Sequence, residues 1–356
     1  MSGPGSGIKT LSCVRCHPKL SPYDLGMKRR LLTIPGLYLG GLVIVILIPL
    51  WLVVGLVIDL LGRRFRFPIV RLLAFAVCWA WLEIIGVTVS AALWLTGQRR
   101  NSQAHYTLQR WWAARLLGAL RLTCGVRVQV ENMEALRPGP AILMARHASL
   151  ADSLVSAYVV TSVAGMNPRY VLKRELLGDP CLDVVGQRLP NHFLDRQAPD
   201  STPELEALQT LTSTMDNKSV GIIFPEGTRA NPVKRERALE KLSVKDNARA
   251  ERLRDLQHLL PPRPAGAIAL LRGHRVADVV LGWHVGFEGL DTFGGMLRAL
   301  SRPFPPVRFV LRRIPRSEIP NVDTPDETAF VTWLDSQWVS LDHEVDEALK
   351  KRNQKV

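Results

Sequence analysis

Two short segments of this 356-residue chain hold residue types and spacings that can do chemistry. In the first, the apolar run Ala141-Ile-Leu-Met-Ala145 leads through Arg146 to His147, and Asp152 follows after Ala-Ser-Leu-Ala. A strand ending at His147 and a helix opening about two residues later, with Ser149 placed to cap it, put Asp152 in the first helical turn. From there the carboxylate can hold one ring nitrogen and leave the other free as a general base. Standing alone, the pair also fits a surface histidine beside a helix-capping aspartate.

The second segment is Val220-Gly-Ile-Ile-Phe224-Pro225-Glu226-Gly227-Thr228-Arg229, a short strand running into a turn that ends in a cation. Gly227 lets the backbone approach a ligand, Thr228 offers a hydroxyl, and Arg229 offers a guanidinium fork matched to phosphate. Turn amides add further donors to an anion. As a bare turn it fits a structural role, but its company with the His–Asp pair and two long apolar runs outweighs chance.

The elements that must position these groups read as α/β over residues 99–356. Helical spacing marks His105–Leu122, in which Trp111 and Trp112 fit either an interfacial belt or core packing. Strands are expected at Val126–Val130, Ala141–Ala145, Tyr170–Leu172, Val220–Phe224, Val279–Trp283 and Val307–Ile314. Helices are expected at Leu150–Val163 and Pro203–Asp216, and Ala265–Leu271 is a further segment of the body. A basic amphipathic insertion spans about 234–260, broken near Asn247. A C-terminal helix spans about 326–352, with acids early and Lys350-Lys351-Arg352 at its end, as a helix dipole prefers.

Ahead of this domain lies the membrane signal. Leu31–Ile58 is 28 residues without a charge, and Leu72–Gln98 is 27 more, interrupted only by Glu83. Each exceeds the roughly 20 apolar residues that cross hydrocarbon. Residues 31–98 therefore read as a two-helix membrane anchor behind a basic, flexible tail of residues 1–30; a buried soluble hairpin is the alternative. Two spans and a hairpin held in one leaflet both return the chain to one face, read as cytoplasmic: the inner membrane of a bacterium or the endoplasmic reticulum of a eukaryote. Pro35 and Pro49 can kink the first run. Glu83 is expected to be functional or paired, with Arg71 or a headgroup as partner.

Composition narrows the classes further. The chain is 47% hydrophobic with 46 Lys+Arg against 32 Asp+Glu, a formal charge of +14, which excludes disorder and permits nucleic acid or anionic lipid as partner. No nucleic-acid-binding motif is visible, so nucleic acid is not expected as a partner. Five scattered cysteines do not form a secreted disulfide framework. Cys13-Val-Arg-Cys16-His17 has the spacing of a haem-attachment site, but in a Pro/Gly/Ser-rich tail it is read as accident or a labile thiol pair. No cluster has metal-ligand spacing, and no G-x-S-x-G nucleophile elbow is present.

With these residues in place, the chain resembles the membrane-bound lysophosphatidic acid acyltransferases and their glycerolipid-acyltransferase relatives. Their Phe-Pro-Glu-Gly-Thr-Arg segment stands intact at 224–229. Their Asn-His-x4-Asp segment is present as His147–Asp152 with Arg146 in the place of Asn. Gly186–Arg196 is similar to their second motif with Arg196 at its end, and Lys173-Arg-Glu175-Leu176 to the segment before it. Leu260-Pro-Pro-Arg263-Pro resembles the branch that acts on varied lysophospholipids, while Val279–Trp283 lacks the proline of the fourth motif.

The resemblance implies a glycerolipid-acyltransferase-like domain: a central mixed sheet flanked by helices, preceded by the two-helix membrane hairpin. It implies acyl transfer from acyl-CoA or acyl-carrier protein to the free hydroxyl of lysophosphatidic acid, with neither metal nor other cofactor. His147 and Asp152 are the implied catalytic pair. Lys173, Arg196, Glu226, Gly227, Thr228, Arg229 and Arg263 are the implied substrate-binding set. The implied partners are the lysophospholipid acceptor, the thioester donor and anionic membrane lipids. Transfer to another lysophospholipid, transacylation between lipids, and an inactive membrane-binding relative stay open as alternatives.

Overall fold

The structure is a computed structural model that describes residues 22–290 and 292–354; the Cys13–His17 segment lies outside them. The first apolar run forms two helices, α1 (Pro22–Ile46) and α2 (Ile48–Leu61), rather than one. They part at Leu47, because Pro49 in the first turn of α2 has no N–H to continue the ladder. Pro35 stays inside α1. The joint at Arg63–Phe67 reverses the chain into α3 (Pro68–Leu95). By length and composition, Gly26–Ile46 and Pro68–Leu95 can each cross a bilayer.

Helix α4 (Ser102–Cys124) opens where the Asn101 side chain accepts the Ala104 amide at 3.2 Å, and closes on Gly125, whose φ of 70° is the left-handed conformation that ends helices. The body then alternates. Strands β1 (Val128–Glu131) and β2 (Ala141–Ala145) lead to α5 (Asp152–Tyr158), which widens into a π-turn over Val159–Val163. Next come β3 (Asn167–Lys173), α6 (Pro180–Val184), β4 (His192–Leu194), α7 (Thr202–Ser213) and β5 (Ser219–Ile223). The basic insertion is α8 (Pro232–Lys245) and α9 (Asn247–Leu253); it breaks at Asp246, whose carboxylate caps the Arg249 amide. The chain ends through α10 (Pro264–Gly273), β6 (Asp278–Val285), α11 (Phe293–Leu300), β7 (Val307–Ile314) and α12 (Thr328–Asn353).

The strands form one seven-stranded mixed sheet in the order β1-β7-β6-β2-β5-β3-β4, parallel except between β6 and β7. Period-two alternation divides β2 between two cores. Ile142 and Met144 join the side built with α7, α10 and α12, while Ala141, Leu143 and Ala145 join the side built with α4 and α5. From β2 the chain runs outward to β3 and β4, then later crosses to β6 on its other side. The carboxyl end of β2 is therefore a topological switch point, where open α/β sheets leave a crevice.

The hairpin does not stand apart from this body. Helix α3 packs along α4, and Trp111 and Trp112 join Ile34, Leu37 and Val87 in a cluster between hairpin and domain. These indoles therefore pack inside the molecule. Arg71 donates to the carbonyls of Thr123 and Leu300 at 2.8 and 2.9 Å, joining α3 to the end of α4 and to α11, so it is not the partner of Glu83. Glu83 instead accepts the Trp79 indole N–H at 2.9 Å. At the far end, Arg29 and Arg30 both donate to Asp183, which is fully buried.

Candidate active site

The switch point gathers the first chemical segment. His147 leaves β2 with its amide donating to Glu226 Oε1 at 2.7 Å and its carbonyl accepting from the Ala230 amide at 2.7 Å. The main chain on both sides of the imidazole is thereby tied to the turn after β5. The ring lies against Phe224 with centroids 4.8 Å apart, and its Nδ1 stands 2.8 Å from Asp152 Oδ2. His147 is 17% exposed and Asp152 1%. A buried carboxylate facing one nitrogen of a half-open imidazole is the arrangement a general base needs.

Asp152 reaches back further than the spacing implied. Its Oδ2 also accepts the amides of Ala148 and Ser149 at 2.6 and 2.8 Å, and its Oδ1 accepts the Ser149 hydroxyl. Ser149 was expected to cap a helix from Leu150; instead Asp152 captures the loop amides and the helix starts at Asp152 itself. Burial opposes the charge on this carboxylate, but His284 beside it and the hydrogen bond to His147 hold it well below the usual carboxylate range.

A cavity of about 460 Å³ opens from His147. Its polar end carries Lys173 at the close of β3, Arg196 just past β4, Arg229 from the turn after β5, and Arg263 ahead of α10. Its apolar wall includes Leu172, Leu176, Leu194, Leu205, Leu208 and Ile223. The two carboxylates in the wall are already engaged: Asp195 with Arg174 at 2.5 Å and Glu204 with His192 at 2.6 Å. The cations therefore crowd one another. Burial, then Arg196 beside it, pushes Lys173 below the usual ammonium range; burial and Arg263 push Arg196 down likewise. Cations held at this cost are stabilised by an arriving anion.

The 224–229 turn splits into two faces. Gly227 has a φ of 71° and lies against the Arg263 side chain, where an added Cβ would meet guanidinium carbon at 3.1 Å. Its carbonyl accepts from Arg196. Glu226 points the other way: it is buried, lies outside the cavity wall, and accepts the amides of His147 and Leu260 at 2.7 and 2.9 Å. Burial pushes its carboxyl up to about 8. Thr228 also lies off the wall and accepts from Lys234 Nζ at 3.4 Å. Of the candidate residues, His147, Lys173, Arg196, Gly227, Arg229 and Arg263 line the cavity, whereas Asp152, Glu226 and Thr228 stand behind it.

One group at the site has no counterpart in the sequence reading. His284, near the end of β6, is 1% exposed and brings Nε2 within 3.0 Å of Asp152 Oδ1. Arg146, in the position before His147, donates to the His284 carbonyl at 2.5 Å. The available signal was a single imidazole inside the apolar run Val-Val-Leu-Gly-Trp-His-Val.

The family profile described as Acyltransferase matches residues 127–270, which includes His147, Asp152 and the four cavity cations. Over these residues the chain is similar to the acyltransferase family. It is similar to "Lysophosphatidylinositol acyltransferase 10" of Caenorhabditis elegans, 22% identical over 245 residues that cover 64% of this chain. The chain spans 58% of the length of that relative. Among solved structures it is similar to the 1-acyl-sn-glycerophosphate (LPA) acyltransferase PlsC from Thermotoga maritima. That likeness has a TM-score of 0.44 and 17% identity, covering 75% of this chain and 95% of the other.

Proposed function

We propose that this acyltransferase domain moves a fatty acyl group from an acyl-CoA or acyl-carrier-protein thioester to the free hydroxyl of lysophosphatidic acid, making phosphatidic acid. The observation that carries this reading is the single cavity holding the His147 imidazole, a cluster of only partly neutralised cations and an apolar wall. A phosphate monoester, a hydroxyl a few atoms away and an alkyl chain fit those three features in turn.

In the reaction, His147 Nε2 takes the hydroxyl proton as the oxygen attacks the thioester carbonyl, while Asp152 holds Nδ1–H and stabilises the imidazolium. The C–S bond breaks, and the proton passes from His147 to the departing thiolate. Oxyanion stabilisation falls to the Arg229 side of the mouth, because the amides of His147, Ala148, Ser149 and Gly227 are engaged elsewhere. Lys173, Arg196, Arg229 and Arg263 hold the acceptor phosphate. No resident metal or cofactor takes part. Glu226 and Thr228 act behind the wall, Glu226 by fixing the main chain under His147.

The hairpin serves this chemistry as a membrane anchor on the cytoplasmic face. With α3 packed along α4, only the outer face of α1, α2 and α3 is left for lipid, where Leu39, Leu42, Val53, Trp79 and Trp81 are exposed. That geometry favours a hairpin lying in one leaflet. The basic α8 and α9 beside the cavity favour an anionic donor, such as CoA phosphates or an acidic carrier.

The deciding measurement is product analysis of purified full-length protein given mixed lysolipids with each donor in turn. Phosphatidate that disappears in His147→Ala, a loss of roughly 10³-fold or more, supports the reading. Activity retained by that variant would sink the mechanism. A product from another lysolipid would move the acceptor assignment towards that of the lysophosphatidylinositol relative.

A further inference from the structure

Around Asp152 two buried groups are unused by the chemistry above, His284 and Arg146, with the exposed Glu288 beside Arg146. His284 sits one strand away from His147, on β6 beside β2. Its ring stacks on Phe309 with centroids 6.2 Å apart and meets the edge of Phe287 at 5.5 Å, so its orientation is set by packing. Its main-chain carbonyl is clamped by Arg146, which also stands 3.5 Å from Glu288. Glu288 in turn accepts from the Gly286 amide at 2.7 Å and from Arg352 of α12 at 3.0 Å. The end of β6 therefore cannot back away from the dyad.

We propose that His284 is a positioning residue for acyl transfer: it shares the Asp152 carboxylate with His147, and the Nε2–H it turns towards Oδ1 sets how strongly Asp152 supports the protonated form of His147. This rests on the general-base reading above.

Plain core packing does not account for the residue. Burying an imidazole whose polar atoms lack partners carries a desolvation cost, and a phenyl ring would fill the same niche without that cost. Among the described residues Nδ1 of His284 has no hydrogen-bond partner, and Nε2 faces Asp152 at 3.0 Å but too obliquely for a full hydrogen bond. Catalytic contacts of this kind tighten when substrate binds. Asp152 is thus shared between an imidazole that opens on the cavity and one sealed inside the sheet.

The direction of the effect follows from the charges. An N–H pole at Oδ1 stabilises the negative carboxylate and weakens its pull on the proton at His147 Nδ1. Without it, His147 holds a proton more tightly and the acid limb of the activity profile moves to higher pH. The other charged groups facing the dyad are Arg146 from β2, Glu226 from the turn after β5, Glu288 with Arg352 behind it, and the cavity cations Lys173, Arg196, Arg229 and Arg263. All of them are unchanged in the variants below, so a displaced limb reports on His284.

The test compares wild type, His284→Phe and His284→Gln as full-length protein, reading kcat/KM from pH 5 to 9. In His284→Phe, which keeps the packing and loses the donor, the acid limb rises by roughly half a unit to one unit and kcat falls about tenfold. In His284→Gln, whose amide can occupy the Nε2 position, the limb stays in place and kcat stays within about threefold. An unmoved limb in His284→Phe, or an equal displacement in both variants, overturns the proposal. Ring 15N spectra of the histidines in the wild-type protein decide it independently of activity and of variant folding. A proton on Nε2 of His284 supports the assignment, and a proton on Nδ1 overturns it. An inactive wild type with the Nε2–H tautomer would instead count against the acyl-transfer reading alone.

Discussion

Two charged centres stand side by side in this domain and are built on opposite terms. Around Asp152 the negative charge is fully answered, by two amides, a hydroxyl and two imidazoles. Across the cavity the positive charges of Lys173, Arg196, Arg229 and Arg263 are answered only in part, by Glu175 near Lys173 and Arg196, since the carboxylates in the wall are held by Arg174 and His192. The first centre is largely assembled before any ligand arrives, which is what a proton-transfer group needs in order to be aimed correctly. The second is completed by its ligand. Stability is spent at the cations and recovered on binding, so the two centres answer differently to mutation.

The largest break in that comparison is Asp152→Asn. An amide nitrogen must then face at least one of the donors that now point at the carboxylate, and the imidazolium loses its counter-charge. Activity should fall roughly 10²–10³-fold and stability by about 2–3 kcal/mol, read from kcat/KM and from denaturant midpoints. A variant as stable as wild type would show that the loop amides find other partners.

Next in size are the cations. Arg229→Ala should raise the KM for the lysophospholipid roughly 10–100-fold, the worth of a charge-assisted contact to phosphate, with a smaller change in kcat. It should also leave the ligand-free protein no less stable, because it relieves crowding. A variant that lost stability as Asp152→Asn does would erase the contrast between the two centres.

A pH-dependent effect on stability alone concerns Glu226. Its folded-state carboxyl, pushed up to about 8 from an ordinary value of 4.5, takes up a proton more readily than in the unfolded chain. The sign is therefore that stability is fullest below about pH 4.5 and declines as pH rises through about 8. Thermal midpoints across that window should slope downward, and Glu226→Gln should flatten the slope. An identical slope in both proteins would remove Glu226 as its source.

How much of this was legible follows from where each signal lies. Strands β2 and β5 read directly, because they are buried on both faces and so stay apolar at every position. His147, Asp152 and the 224–229 turn stood out because their spacing is local. Strand β4 did not, since His-Phe-Leu is a strand only by pairing with β3. Helix α11 was masked by its glycines, and the break at Leu47 by an uninterrupted apolar run. His284 was invisible for a different reason. Its meaning depends on Asp152, more than a hundred residues earlier in the chain, and sheet order rather than spacing joins them. The two faces of the turn were equally hidden: Glu226 and Gly227 are neighbours in sequence, yet one braces the main chain and the other lines the cavity.

The packing of α3 along α4, closed at one end by Arg71, together with the ties from α1 to Asp183 of α6, leaves the hairpin no tether on which to swing. The height of the cavity above a lipid surface is then set by side-chain dimensions rather than by a linker. An enzyme held this way does not dip for its substrate. On the proposed function it would wait at a fixed depth and meet lipids by their lateral diffusion, so its encounter rate would follow their density in the leaflet rather than their concentration in water.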